Sequence, residues 1–498
     1  MRSVFGIPGS GVTLSLIDAL EKRGIAFHLN YFEGSGVLMA ATTGRLSGRA
    51  GVSLSIKGPG LANSVPGLAA AWFEAFPVVH LTEATPRKAP ASQAHKRLNH
   101  EALVKAVSKG IYTLSGKNSA LKGAFALAGD EEPGPVVLEL VEHREASKPK
   151  AEPIKMKGHT DDILGLIRRS QRPMVLAGAL AIRQGWYSHL NNLNIPVFST
   201  ASAKGVIDET LPQSAGVYTG AGAKLTPEFQ LFPKTDLIVG LGLTAREVLA
   251  TKPFSCQSVS IAAVQTPGHE GFSFNCSSGI EGVTPVLDAL AQKEWGLDAL
   301  GRTKEILRSY MTRDFLPGRV FELIQDHFPG GVRAIMDTGY FCTIGEHAWA
   351  AQRPDLCLLS GQGRYMGTGL PMAIGASLYD RTLPTIAFLG DGGVGMYLAE
   401  AKLAVRNKLP LMIILMSDNA FASIRTRAIK DGLTQSPLLM DGRSWVGCFA
   451  AMGISGTKAE NIKELSEAMI AWNPENGPAF LEIVFDPDKY ELMVKGIR

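Results

Sequence analysis

The chain has 498 residues, too many for one core, so two or three domains of ordinary size are expected. Hydrophobic residues make up 45% and charged residues 19%, and 50 Lys and Arg against 46 Asp and Glu leave a net charge of +4. With the signs interspersed, that balance argues against a nucleic-acid or membrane-surface partner. Cys256, Cys276, Cys342, Cys357 and Cys448 are odd in number and scattered, with neither metal-ligand spacing nor a disulfide framework. That pattern points to a reducing, cytoplasmic setting. The longest apolar run, 411–416, reads as a buried strand rather than a membrane span, and the first residues carry no leader pattern.

In chain order, a strand over 3–7, the turn Pro8-Gly9-Ser10-Gly11 and a helix over 12–23 stopped by Gly24 form the first unit. A strand over 52–56, Gly58-Pro59-Gly60, a helix over 61–73 and a strand over 78–82 repeat it. The polar stretch 147–158 carries two prolines and suits a domain boundary, and 293–303 is a weaker, charged break. Between them, strands over 174–177 and 237–239 each run into a glycine. Further on, a strand ends at Gly390-Asp391-Gly392-Gly393, a helix follows over about 396–407, and the strand 411–416 ends at Ser417-Asp418-Asn419. Strands alternating with helices imply an α/β protein of three doubly wound parallel-sheet domains. The expected spans are 1–150, 158–295 and 303–498, with the first and third sharing a plan.

Two parallel strands thus deliver Asp391 and Asp418 at their C-terminal ends, where open α/β sheets bind ligands. The glycines let backbone N–H groups approach a phosphate. A hard cation such as Mg²⁺ takes one or two carboxylates plus phosphate oxygens, a carbonyl and water. A lone Gly-Asp-Gly is also a common turn, and a Rossmann-like edge without metal is the plain alternative.

Over its full length this segment resembles the thiamine-diphosphate motif of the acetolactate-synthase and 2-oxo-acid-decarboxylase family. It has the Gly-Asp-Gly, an intervening helix, Leu409-Pro410 and a polar pair, Ser417-Asp418 where the family shows Asn-Asn. The resemblance implies that Gly390, Asp391, Gly392 and Gly393 hold the diphosphate. It gives Asp391, Asp418 and the Ala420 carbonyl to Mg²⁺, with Asn419 replacing Asp418 if the register slips by one. Asp337-Thr338-Gly339-Tyr340 looks like the second diphosphate loop, placing Gly339 and Tyr340 on the cofactor. In the Gly-rich stretch 360–371, Met366 sits where the family has an apolar wedge, or else is core filler. Arg364 stands where glycine is usual, so its contact is expected through the backbone.

Near the other end, Asn30-Tyr31-Phe32-Glu33-Gly34-Ser35-Gly36 is followed by Gly58-Pro59-Gly60-Leu61-Ala62-Asn63, Phe76-Pro77-Val78-Val79 and Thr82, in the family's order. The resemblance makes Glu33 the carboxyl that bonds N1′ of the aminopyrimidine, a role that needs a dry pocket and a raised pKa. On local grounds alone Glu33 reads equally as a helix N-terminal acid. Ile7-Pro8-Gly9 matches the loop touching the pyrimidine, through Pro8 and Gly9. Lys57 is a candidate contact for an anionic substrate group, against a lysine reaching for solvent. His95 and His100 are candidate proton relays, against ordinary surface histidines.

Ile195-Pro196-Val197 and 203–207 resemble the family's central domain, which in some relatives binds FAD or ADP; Gly240-Leu241-Gly242 does not decide that. The family builds its site from two subunits, implying a homodimer or homotetramer. Against most relatives the chain starts late and has little tail to close over a site. The implied reaction is decarboxylation of a 2-oxo acid, followed by aldehyde release or ligation to a second carbonyl. The lack of an adjacent His-His pair favours ligation. Competing readings are an acyl-CoA lyase, a non-catalytic cofactor-binding homologue, and an NAD-dependent oxidoreductase, which lacks a full G-x-G-x-x-G with its ribose-binding acid.

Overall fold

The computed structural model describes residues 3–29, 32–34, 36–37, 40–41, 44, 49–73, 77–86, 95–114, 118–130, 133–141, 160–243, 247, 254–262, 271–277, 280–359, 364, 366–367, 369–396, 398–440 and 442–497. The expected boundary at 147–158 lies outside them, as do Asn30, Tyr31, Ser35, Phe76 and the glycine-rich residues 360–363.

Three six-stranded sheets form, and every recorded strand pair is parallel. The first contains β1 (Ser3–Gly6), β2 (Ala26–Leu29), β3 (Gly51–Ser55), β4 (Val78–Ala84), β5 (Ile111–Leu114) and β6 (Pro135–Val141), in the order β2-β1-β3-β4-β6-β5. The second contains β7 (Pro173–Ala177), β8 (Val197–Ser199), β9 (Ser214–Val217), β10 (Leu237–Leu241), β11 (Gln257–Ala262) and β12 (Phe274–Ser277), in the order β12-β11-β10-β7-β8-β9. The third contains β13 (Arg333–Met336), β14 (Cys357–Leu359), β15 (Thr385–Gly390), β16 (Leu411–Ser417), β17 (Ser455–Ala459) and β18 (Ala479–Val484), in the order β14-β13-β15-β16-β18-β17. Strand for strand, the first and third sheets have one topology, so the shared plan is borne out. Central strands such as β3, β7 and β16 are buried along their whole length, which is why they read as apolar runs rather than alternating ones.

The chain folds as two compact units. One comprises Met1–Ala89, Lys96–Glu145 and Asn419–Gly442; the other comprises Pro90–His95, Ala146–Asp418 and Arg443–Arg498. Within the first, the excursion 419–442 packs Ala428 and Leu438 on Leu14, and the Thr434 N–H donates to Asp18. The charged break at 293–303 is in part helix: Leu297–Met311 buries Leu300, Thr303, Leu307 and Met311, a helical spacing that charge alone concealed.

In doubly wound sheets the crevice opens where the strand order reverses, outside the carboxyl ends of the strands. That point lies between β1 and β3 in the first sheet, β7 and β10 in the second, and β13 and β15 in the third. The expected helix at 396–407 is present over Leu398–Glu400 and Ala401–Arg406. A short helix, Asp391–Val394, starts directly at the strand end, and Ala401–Arg406 follows it. Gly393 permits the tight start, since a Cβ there would lie 2.2 Å from Asp337 Oδ2.

Candidate active site

At the first sheet's reversal, Gly9 sits between Ile56 and Glu83, and the Gly9 N–H donates to Thr13 Oγ1 at 2.9 Å. The helix Val12–Glu21 has no side-chain cap of its own. Glu83, at the end of β4, supplies one by accepting from the Thr13 N–H at 3.2 Å and hydroxyl at 2.7 Å. Sequence reasoning missed Glu83, which fixes the Pro8-Gly9 loop from 70 residues away.

Across the reversal, Gly58 has φ +65, and a Cβ there would lie 1.9 Å from the Lys96 carbonyl oxygen. Its N–H donates to His100 Nε2 at 3.2 Å, so Nδ1 carries the imidazole proton toward Glu139 Oε1 at 2.9 Å. His100 is therefore a buried brace of the loop that carries Lys57, not a surface histidine. Lys57 and His95 are half-buried. His80, also absent from the sequence reading, is fully buried between Ser53 and Ser55, and burial pushes it down to about 3.

The loop at Gly58 opens the helix Pro59–Phe73, on which Glu33 rests. Close approach is allowed by Gly67, where a Cβ would come 2.2 Å from the Gly34 carbonyl oxygen. Glu33 is 6% exposed, and Asn63 Nδ2 donates to its Oε2 at 3.0 Å. Burial dominates the Asn63 bond and the charge of Lys96, pushing the carboxyl up to about 7. A carboxyl poised at neutrality can give or take a proton, which a dipole-serving surface acid cannot.

In the third sheet, β15 and β16 run in register, so Asp391 and Ser417–Asp418 leave together. Asp391 Oδ1 accepts from the Ser417 hydroxyl at 2.8 Å and Oδ2 from the Asp418 N–H at 2.9 Å. Both carboxylates are nearly buried. Asp337, fully buried at the end of β13, accepts from the Thr338 N–H at 2.8 Å and the Gly367 N–H at 2.9 Å. It thereby ties the Gly339-Tyr340 loop to the turn bearing Met366, which is half-buried. Asn419 adopts φ 55, and its carbonyl accepts from the Met440 N–H within the excursion 419–442. Ala420 bridges to Leu439 in the same segment.

Arg364 takes the left-handed backbone of a glycine, and its side chain is engaged elsewhere. Its φ of 51 suits the glycine it replaces, but its guanidinium turns inward to an ion pair with Glu346 and lies 3.8 Å from Cys342 Sγ. Glu346 was missed, and its carbonyl accepts from Lys204 Nζ at 3.0 Å.

Among the described residues no group of three or more His, Cys, Asp or Glu could hold a metal. Two carboxylates at a glycine-rich turn therefore fit a cation that completes its shell with phosphate and water, not a closed protein cage. Nearby, the hydroxyls of Thr338 and Tyr490 are buried with no hydrogen-bond partner among the described residues, as expected where a polyoxygen ligand docks.

Family models agree with this arrangement. The N-terminal thiamine pyrophosphate-binding domain matches residues 1–103, the central domain of such enzymes 160–267, and the C-terminal binding domain 337–483. The chain belongs to the thiamine pyrophosphate enzymes. It is 24% identical over 551 residues to a probable acetolactate synthase large subunit of Methanococcus aeolicus, covering 99% of this chain and 90% of that one. The catabolic acetolactate synthase of Raoultella terrigena is 24% identical, with 98% and 92% covered. The acetolactate synthase isozyme 1 large subunit of Escherichia coli is 25% identical, with 85% and 80% covered. The expectation of a thiamine-diphosphate-dependent enzyme acting on 2-oxo acids is borne out. No described helix is long and apolar enough to cross a membrane.

Proposed function

We propose that the protein decarboxylates a 2-oxo acid and joins the remaining acyl unit to a second carbonyl compound, as the names of its relatives suggest for them. The observation that carries this reading is Glu33, a buried carboxyl held near neutrality beside the Pro8-Gly9 loop's own sheet. Thiamine diphosphate, when bound, would supply a nucleophilic carbon for the decarboxylation of a 2-oxo acid. Glu33 exchanges a proton with the aminopyrimidine, and Pro8 and Gly9 line that ring. Gly390, Asp391, Gly392 and Gly393, with Gly339 and Tyr340, cradle the diphosphate. Asp391, Asp418 and the Ala420 carbonyl hold Mg²⁺, and Met366 wedges the cofactor. Lys57 faces an anionic group of the substrate, and the enzyme works as a homodimer or homotetramer.

The central domain carries an acid at the corresponding crevice. At its reversal between β7 and β10, the Ala179 N–H donates to Glu247 Oε1 at 2.8 Å, and the Thr200 hydroxyl donates to the same oxygen. A nucleotide phosphate would meet a buried carboxylate there.

The test is calorimetric titration of cofactor-free protein with thiamine diphosphate, with and without Mg²⁺, followed by carbon dioxide release from a panel of 2-oxo acids. Mg²⁺-dependent binding and turnover that consumes a second carbonyl support the reading. Binding without turnover of any 2-oxo acid sinks the substrate class and turns attention to 2-hydroxyacyl-CoA substrates.

A further inference from the structure

Tyr490 is a buried polar group that no role described so far uses. It is brought to the carboxyl edge of the third sheet by the chain after β18. There β18 pairs with β16 so that Val484 lies opposite Ser417, and the Phe485 N–H donates to the Ser417 carbonyl at 2.9 Å. Asp486 then caps the helix Pro487–Lys495 with its own side chain, and Tyr490 follows within the first turns. Its ring meets Tyr340 edge to face at 6.1 Å and Phe485 at 5.6 Å, so it is fixed by packing on two sides.

Tyr490 is 2% exposed, and its oxygen is buried without a hydrogen bond among the described residues. Tyrosine in a core normally satisfies that oxygen, and leaving it unpaired destabilises the folded chain. Burial holds the phenol well above its ordinary pKa, so the oxygen keeps its proton and remains a donor. The Thr338 hydroxyl, one residue before Gly339, is orphaned in the same part of the sheet edge. Two hydroxyls with no partner among the described residues, at the sheet edge that carries Asp391 and Asp418, suit an oxygen-rich ligand.

We propose that the Tyr490 hydroxyl donates a hydrogen bond to a diphosphate oxygen of bound thiamine diphosphate, so that the C-terminal helix Pro487–Lys495 is part of the cofactor site. This rests on the function proposed above. The donor is held in place before the ligand arrives, and docking removes the desolvation cost of the empty site.

Tyr490→Phe removes only the oxygen. At saturating Mg²⁺ the variant binds thiamine diphosphate about tenfold more weakly by calorimetry, the loss expected for one hydrogen bond to a charged oxygen. The melting temperature of cofactor-free Tyr490→Phe stays equal to that of the unmodified protein or rises. Equal affinities in the two proteins would overturn the proposal while leaving the cofactor assignment intact. A cofactor-free variant that melts lower in step with its lost affinity assigns Tyr490 to packing alone. Failure of the unmodified protein to bind at all removes both the cofactor reading and this one.

Discussion

The second and third sheets solve the same geometric problem in opposite ways. Each has six parallel strands and a reversal at which one strand runs through a glycine into a short helix. At the second, Gly178 leads into Ala179–Arg183, and the freed N–H group is taken by Glu247 from 68 residues away. At the third, Gly390 leads into Asp391–Val394, Asp337 takes the Thr338 and Gly367 N–H groups, and the chain adds Asp391, Asp418 and two hydroxyls with no partner among the described residues. Topology places a crevice, and the side chains around it decide whether the protein fills it or leaves it for a ligand.

Exchanging the polar character of Asp391 tests the open crevice with the largest effect. Asp391→Asn keeps an acceptor for the Ser417 hydroxyl but loses the charge that a cation needs. Calorimetry is expected to show Mg²⁺-dependent thiamine diphosphate binding weakened by roughly a thousandfold, about 4 kcal/mol. Binding within tenfold of the unmodified protein would mean that the diphosphate is anchored elsewhere.

Glu33 extends the contrast to the first sheet, where the crevice holds an unneutralised acid. Its folded pKa of about 7 lies above the ordinary 4.5, so between those values the native state holds a proton that the unfolded chain has lost. Stability therefore falls as pH rises through this window and stays lower above it. Glu33→Gln removes that penalty while keeping an acceptor for Asn63. The cofactor-free variant is expected to be more stable than the unmodified protein at pH 8, by up to about 3 kcal/mol. The difference should vanish near pH 4.5, and turnover should be lost at every pH. A pH-independent gap would show that the carboxyl is not the titrating group.

The filled crevice should respond in the opposite way. Glu247→Ala strands the Ala179 N–H and the Thr200 hydroxyl, so thermal or urea unfolding should show a loss of about 1–3 kcal/mol. Thiamine diphosphate affinity should not move, because the site lies on another sheet. A changed affinity would show that the second sheet supports the cofactor.

Legibility in the sequence followed distance along the chain. The strand ends at Gly6, Ser55, Gly390 and Ser417 were readable because each sits where an apolar run meets glycine or an acid. Gly390-Asp391-Gly392 and the polar pair after β16 announced the third crevice, because strand register follows from local pattern. Glu33 was readable as a candidate, but its environment was not: Asn63 is 30 residues away, and the burial that lifts its pKa is a tertiary property. Glu83, Glu247 and Glu346 look like any other acids in sequence, since what distinguishes them is a partner 18 to 70 residues away. Arg364 shows the reverse failure. Its glycine-like backbone was legible from the motif, and the inward turn of its side chain toward Glu346 was not.

Asp418 carries the smallest expected effect and the sharpest question, because it separates two registers. Asp418 stays with Asp391 in the second compact unit, whereas Asn419 turns at φ 55 into the excursion that belongs to the first. Asp418→Asn restores the residue usual in the family, keeps an oxygen for the cation, and removes one of two adjacent negative charges whose repulsion opposes the empty site. Mg²⁺ affinity in the presence of thiamine diphosphate should therefore fall by less than tenfold, and Asn419→Ala should leave it unchanged. If Asn419→Ala abolishes the metal dependence and Asp418→Asn does nothing, the register is shifted by one and Asp418 serves only to hold Asp391 through its backbone N–H.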